Sequence, residues 1–99
     1  MKKLIIAAVL ALTISANVQA DVFEFCKQTE MYAEEIMKVR QSGVSASKAY
    51  SAAQNSKMLL SIVKAAYAKP AYDTPEYQEK AVSEFKDHYF TICYEELSK

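Results

Sequence analysis

The sequence has very few residues that interrupt a helix, with one glycine and two prolines among its 99 residues. Gly43, Pro70 and Pro75 all stand between segments of helical periodicity, which is typical of helices joined by short turns. The scarcity of glycine also excludes a glycine-rich loop of the kind that holds a phosphate group. These absences favour an all-α fold and argue against nucleotide binding.

Side chains that bind metals or carry out catalysis are also scarce. The chain has one histidine, His88, and two cysteines, which is too few for a zinc site. It lacks the G-x-S-x-G turn that would activate a serine. Glu84 lies four residues before His88 on the same predicted helix and could serve it as a general-base partner, but we expect a solvent-facing histidine. We therefore predict that the protein is not an enzyme and binds neither a metal nor a cofactor.

Charge of one sign does not predominate either, because twelve basic residues balance twelve acidic ones. The two signs are interspersed along the chain, so the sequence lacks the basic stripe that a nucleic acid requires. The same balance argues against an anionic membrane surface as the main partner. We expect no nucleic-acid partner.

The N-terminus carries the longest apolar run of the sequence, MKKLIIAAVLALTISANVQA. Two lysines precede eleven mostly apolar residues, Leu4 to Ile14, and a small-residue VQA sequence follows, which is typical of a cleaved secretory signal peptide. We predict cleavage between Ala20 and Asp21. Because a helix needs about 20 apolar residues to cross a bilayer, we expect no stable membrane anchor. The protein is then periplasmic or secreted, with residues 1–20 removed and 21–99 forming one helical domain.

Helix boundaries can be placed from capping residues. A helix from Val22 to Gln41 ends before Gly43, where glycine can adopt the left-handed conformation that closes a helix. Ser45 is a good N-cap for a second helix, and Asn55 or Ser56 for a third. Whether this middle region is one bent helix or two stays open. In "KPAYDTPEYQEK", Asp73 or Thr74 caps a final helix from Pro75 to Leu97, with proline in its first turn.

The apolar residues of the first and last helices recur at a spacing of three to four, as on one face of an amphipathic helix. Cys26 lies at the start of the first of these faces, and Cys93 near the end of the last. If the two helices pack antiparallel, both sulfur atoms point into one interface. We therefore predict a small bundle of three to four helices in which a Cys26–Cys93 disulfide, favoured by an oxidising compartment, joins the antiparallel first and last helices. The faces contain Cys26, Thr29, Ala33, Ile36, Met37 and Arg40, and Ala81, Val82, Phe85, Tyr89, Ile92 and Cys93.

Aromatic residues are abundant in the mature segment, which holds seven tyrosines and four phenylalanines. Tyr67, Tyr72 and Tyr77 crowd the connection before the last helix, and tyrosine is enriched at protein interfaces. They are a possible interaction surface, although tyrosines that seal the rim of a small bundle would give the same pattern. We expect Met31, Met37 and Met58 to fill the core.

Three stretches carry a resemblance to known sequences: YAEEIMKVRQSGV, AYAKPAYDTPEYQEKAVSEF and the near-terminal YFTICY. Together they resemble a diffuse group of small exported helical proteins with two cysteines, found in phage, prophage and proteobacterial genomes. The resemblance covers essentially the whole mature chain. It implies a cysteine-bonded helical domain of phage or host origin, and no assigned activity comes with it.

Two functional hypotheses follow. The first is a binding module that engages a protein of the cell envelope, such as a phage-encoded modulator or inhibitor acting in exclusion or lysis regulation. The alternative is a small periplasmic chaperone of the acid-stress type, which would unfold when carboxylates and the single histidine are protonated. The sequence leaves the oligomeric state open.

Overall fold

The computed structural model describes the backbone of residues 2–99 and the side chains of residues 20–99. Within this part the chain forms four helices and no strand, which confirms the predicted all-α bundle. The middle region, left open by the sequence, consists of two helices. The four are α1 (Lys2–Gln41), α2 (Ala46–Ala53), α3 (Lys57–Tyr67) and α4 (Pro75–Leu97).

The start of α1 differs from the expected start at Val22, since the helix is continuous from Lys2. No glycine or proline stands between these two positions to end a helix. Met1 and the side chains of residues 2–19 lie outside the described part of the chain, so cleavage after the exposed Ala20 stays a prediction. Among the described residues, no helix has the length and hydropathy needed to span a membrane.

Local capping sets the remaining helix ends. Gly43 has a φ of +86°, the left-handed conformation that lets the chain turn after α1. The side-chain oxygens of Ser45, Ser56 and Thr74 accept hydrogen bonds from backbone N–H groups in the first turns of α2, α3 and α4. Pro75 occupies the first turn of α4, where the missing N–H costs nothing.

α1 is the central helix, and α4 packs against it most extensively. Cys26 near one end of the interface is bonded to Cys93, with Cα atoms 5.6 Å apart. Further along, the Glu34 carboxylate lies 3.6 Å from the Lys86 ammonium group. Because residue numbers rise on α1 as they fall on α4, the two helices are antiparallel, and the predicted disulfide between them is confirmed.

The core contains two clusters on either side of α3. The main cluster joins α1, α3 and α4, and the second cluster joins α2 to α3. Buried apolar area stabilises a helix packing of this kind by roughly 25 cal/mol per Å². The main cluster consists of Ala33, Met37, Ile62, Ala66 and Phe85, and the second of Ala49, Ala53 and Val63.

Three residues expected in the core are exposed, namely Ile92, Met31 and Met58. Ile92 is next to Cys93 in the sequence and so projects about 100° away from it around α4, and it belongs to neither buried cluster. Of the three methionines that were expected in the core, only Met37 is buried. Cys26 is fully buried, whereas Cys93 is half-buried.

Candidate interaction surfaces

Two of the three predicted surface tyrosines lie together. The rings of Tyr72 and Tyr77 have centroids 6.0 Å apart, and the residues are 41% and 56% exposed. Tyr67 belongs elsewhere, since its hydroxyl donates to the Val44 carbonyl over 2.7 Å and the Arg40 guanidinium stacks on its ring at 4.9 Å. Tyr67 therefore holds the α1–α2 turn, and the tyrosine pair is Tyr72 with Tyr77.

The backbone of Tyr72 is held on both sides by side-chain amides. Its N–H donates to Gln41 Oε1 over 2.8 Å, and its carbonyl accepts from Gln78 Nε2 over 2.7 Å. Gln41 is buried and also donates to the Pro70 carbonyl over 2.9 Å. Sequence reasoning missed this glutamine, although it lies four residues after Met37 on the buried face of α1. The loop that presents the tyrosine pair is thus fixed before any partner arrives.

A groove separates α3 from α4 and begins beside the tyrosine pair; we call it the interhelix groove. It encloses about 580 Å³, with Met37 and Phe85 at its base. Small side chains form its walls, and its rim carries both charged and aromatic groups. The walls are Ala65, Ala68 and Ala81, and the rim includes Lys69, Tyr72, Glu84, His88 and Tyr89.

Charges are distributed unevenly among the helices, although the whole chain contains equal numbers of acidic and basic residues. No acidic residue occurs between Glu35 and Asp73, a stretch that contains the end of α1, all of α2 and all of α3. That stretch holds six basic residues: Lys38, Arg40, Lys48, Lys57, Lys64 and Lys69. α4 carries the opposite balance, with more acidic than basic side chains. The interspersed pattern expected from the sequence holds within α1 and α4 and fails in α2 and α3.

A second concavity, the apolar groove, lies between α1, α2 and α3. It encloses about 200 Å³, and Glu35 is the only charged residue among those that line it. It shares no lining residue with the interhelix groove. The apolar lining consists of Tyr32, Ile36, Val39, Ala49, Ala52, Ala53, Leu59 and Val63.

An aromatic group not anticipated from the sequence lies at the disulfide end of the bundle. The Phe23 ring meets Phe90 edge-on at 5.7 Å, and Phe90 stacks on Tyr94 at 5.8 Å. The Lys27 ammonium group lies 6.0 Å above the Phe90 ring, close enough for a cation–π interaction. Phe90 and Tyr94 are one helical turn apart in the sequence, and this spacing predicts that their rings are neighbours on α4.

The residues considered for catalysis do not form a site. His88 is exposed and its ring is nearly perpendicular to that of Tyr89, with centroids 5.9 Å apart, while the Glu84 carboxylate pairs with Lys80 at 4.0 Å. Among the described residues, no three His, Cys, Asp or Glu side chains are grouped so as to hold a metal ion. The carboxylate of Glu84 is therefore paired with Lys80 and not with His88.

No family model, curated protein or solved structure matches the chain.

Proposed function

We propose that the protein is an exported protein-binding module of the bacterial cell envelope. In this proposal its partner places an apolar side chain in the apolar groove between α1, α2 and α3. The observation that carries the proposal is the groove itself, whose lining is apolar except for Glu35. A solvent-facing concavity of this composition is characteristic of a binding site.

The size of the apolar groove favours a protein partner over a small molecule. Pockets for drug-sized ligands and cofactors usually enclose about 300–1,000 Å³, and this one encloses about 200 Å³. That volume suits one or two apolar side chains. Protein interfaces take much of their affinity from anchor residues that fill such pockets.

Charges at the rim of the apolar groove specify the partner further. Glu35 supplies a carboxylate from the α1 wall. Lys48 is exposed and lies four residues before Ala52, on the same face of α2. A partner that fits both would carry a basic residue on the α1 side of its apolar anchor and an acidic residue on the α2 side.

The cellular setting is proposed from the sequence and the disulfide. An apolar leader followed by a possible cleavage site favours export, and a disulfide such as Cys26–Cys93 persists in an oxidising compartment. The resemblance to small phage and prophage proteins supports a modulator or inhibitor of an envelope protein, of the type that exclusion or lysis regulation requires.

Site-specific photocrosslinking in cells that export the protein tests this proposal. A photoreactive phenylalanine derivative at Ala52, which lines the apolar groove and is exposed, should crosslink one envelope protein. The same derivative at Ser51, exposed on the same helix but outside the groove, is the matched control and should not.

The captured protein is then purified and its affinity measured by calorimetry. Ala52→Arg should lower that affinity at least about tenfold by filling the groove with a charged side chain. Met31→Arg, on an exposed part of α1 outside the groove, should leave it unchanged. Equal crosslinking from positions 51 and 52, or equal affinity for both arginine variants, would contradict the proposal.

A further inference from the structure

We infer that a second copy of this chain covers the interhelix groove, with a two-fold axis that runs along the groove between α3 and α4. This inference goes beyond the proposed function, because it concerns a different face of the molecule. It rests on two independent patterns, one of exposed apolar residues and one of charge.

Exposed apolar residues mark both ends of the interhelix groove. At one end are Tyr72 and Tyr77, in contact with each other. At the other are Met58 and Ile92, which are 39% and 43% exposed.

The placement of Met58 and Ile92 follows from helix geometry. α3 runs in the same direction as α1, because Leu59 lines a groove with Tyr32 whereas the Tyr67 ring lies beside Arg40, and it is therefore antiparallel to α4. Ala65 and Phe85 both line the groove. Met58 is seven residues before Ala65 and Ile92 is seven residues after Phe85, so each lies about 10 Å from its groove residue, and both are displaced in the same direction.

The two helices that border the interhelix groove carry opposite charge. α3 contains Lys57 and Lys64 and no acidic residue, and Lys69 follows it. The side of α4 that borders the groove carries Glu84, with Asp87 exposed nearby. Among the described residues, no ion pair joins α3 to α4. Lys64 is in none of the ion pairs among the described residues, and Glu84 contacts only Lys80 of its own helix, at 4.0 Å, so both side chains can also form pairs across an interface.

A two-fold axis along the groove satisfies both patterns at once. Such an axis places α3 of each copy over α4 of the other, at the same height along the groove. Lys64 then lies on the side of the partner's Glu84, because Lys64 is next to Ala65, Glu84 is next to Phe85, and Ala65 and Phe85 both line the groove. At the two ends, Met58 meets the partner's Ile92 and Tyr72 meets the partner's Tyr77. Each contact occurs twice, as an isologous interface requires.

The charge pattern also selects this axis over its alternative. A two-fold axis across the groove would place α3 over α3 and α4 over α4. Lysines would then face lysines, which is unfavourable at an interface. The alanine walls of the groove, Ala65, Ala68 and Ala81, leave room for the helices of the two copies to approach closely.

Sedimentation equilibrium of the exported, disulfide-bonded protein tests the inference. The wild-type protein should show a monomer–dimer equilibrium whose dissociation constant rises with salt. Lys64→Glu and Glu84→Lys should each raise that constant at least about tenfold, because each variant places like charges together at both contacts. Lys48→Glu, a matched change on α2 away from the groove, should leave it unchanged.

Mixing the Lys64→Glu and Glu84→Lys proteins provides the decisive measurement. In the mixed dimer each charge contact again joins opposite signs, so association should return toward the wild-type value. Circular dichroism of each variant checks that the exposed substitutions leave the fold intact. A wild-type protein that stays monomeric at every concentration would overturn the inference and leave the groove to a different protein. Failure of the mixture to associate would overturn the proposed axis.

Discussion

Tyr89 lies on the border between the core and the interhelix groove. Its ring centroid is 5.0 Å from that of Phe85, and the main cluster packs against it. Burial raises the pKa of its phenol above the ordinary value of 10.0, because a desolvated site disfavours the charged phenolate. The folded protein therefore binds this proton more tightly than the unfolded chain does.

The raised pKa of Tyr89 predicts a loss of stability at alkaline pH. Below about pH 10 the phenol is neutral in both states and its contribution is fully present. The phenol ionises at a lower pH in the unfolded chain than in the folded protein, so its ionisation stabilises the unfolded chain. The contribution of Tyr89 to the free energy of unfolding is therefore lost as pH rises through its folded pKa. Tyr89→Phe should remove this part of the alkaline loss, measured by urea unfolding below and above about pH 10. Tyr77→Phe is the exposed control, and an equal effect there would contradict the assignment.

At the scale of helices, the end of α1 organises the connection between α3 and α4. Gln41 spans the gap by accepting from the Tyr72 N–H and donating to the Pro70 carbonyl. Arg40, next to it, donates from Nε to the Lys69 carbonyl over 2.9 Å. One turn of α1 therefore satisfies three backbone groups of this loop, and Gln78 of α4 supplies the partner of the Tyr72 carbonyl.

Gln41→Leu should destabilise the fold, because it leaves a part-buried N–H and a carbonyl without partners. The expected cost is about 1–3 kcal/mol in free energy of unfolding, measured by urea denaturation. Amide hydrogen exchange at Tyr72 should also become faster in this variant. Gln28→Leu, exposed on the same helix, should change neither quantity; similar effects at both positions would mean that the amide contacts contribute nothing.

Helix ends marked by a capping residue were predictable from the sequence, whereas the start of α1 and the exposure of residues along the helices were not fully predicted. Ser45, Thr74 and Gly43 act within one turn of their own helix, so a local pattern identifies them. Ile92 has the periodicity of a core residue and is exposed, because its burial depends on whether a neighbouring helix reaches it. The interhelix groove could not be predicted for the same reason, since it is a gap between two helices that both pack on a third.

For the whole molecule, the bond between Cys26 and Cys93 joins the two helices that form the largest packing interface. The cysteines are 67 positions apart, so the bond closes a loop that includes α2, α3 and most of the core. This closure lowers the conformational entropy of the unfolded chain, and the folded state is stabilised relative to it. The chain-entropy treatment gives about 4 kcal/mol for a loop of this length.

Reduction of the disulfide should therefore lower the free energy of unfolding by up to about 4 kcal/mol. Urea denaturation with and without a dithiol measures the change. The Cys26→Ser/Cys93→Ser protein should match the reduced wild type and should not respond to the dithiol. A reduced protein as stable as the oxidised one would show that the bond adds nothing to the packing of α1 on α4.

The closed loop also determines what happens when a protease cuts the backbone once. The turns between α1 and α2, between α2 and α3, and before α4 all lie between the two cysteines in the sequence. A single cut in any of them yields two fragments that stay covalently joined, with α1 still paired to α4. The cut molecule keeps its mass apart from one added water, and its two chains separate only after reduction. A protein built in this way can be cut once in its backbone and still remain one molecule.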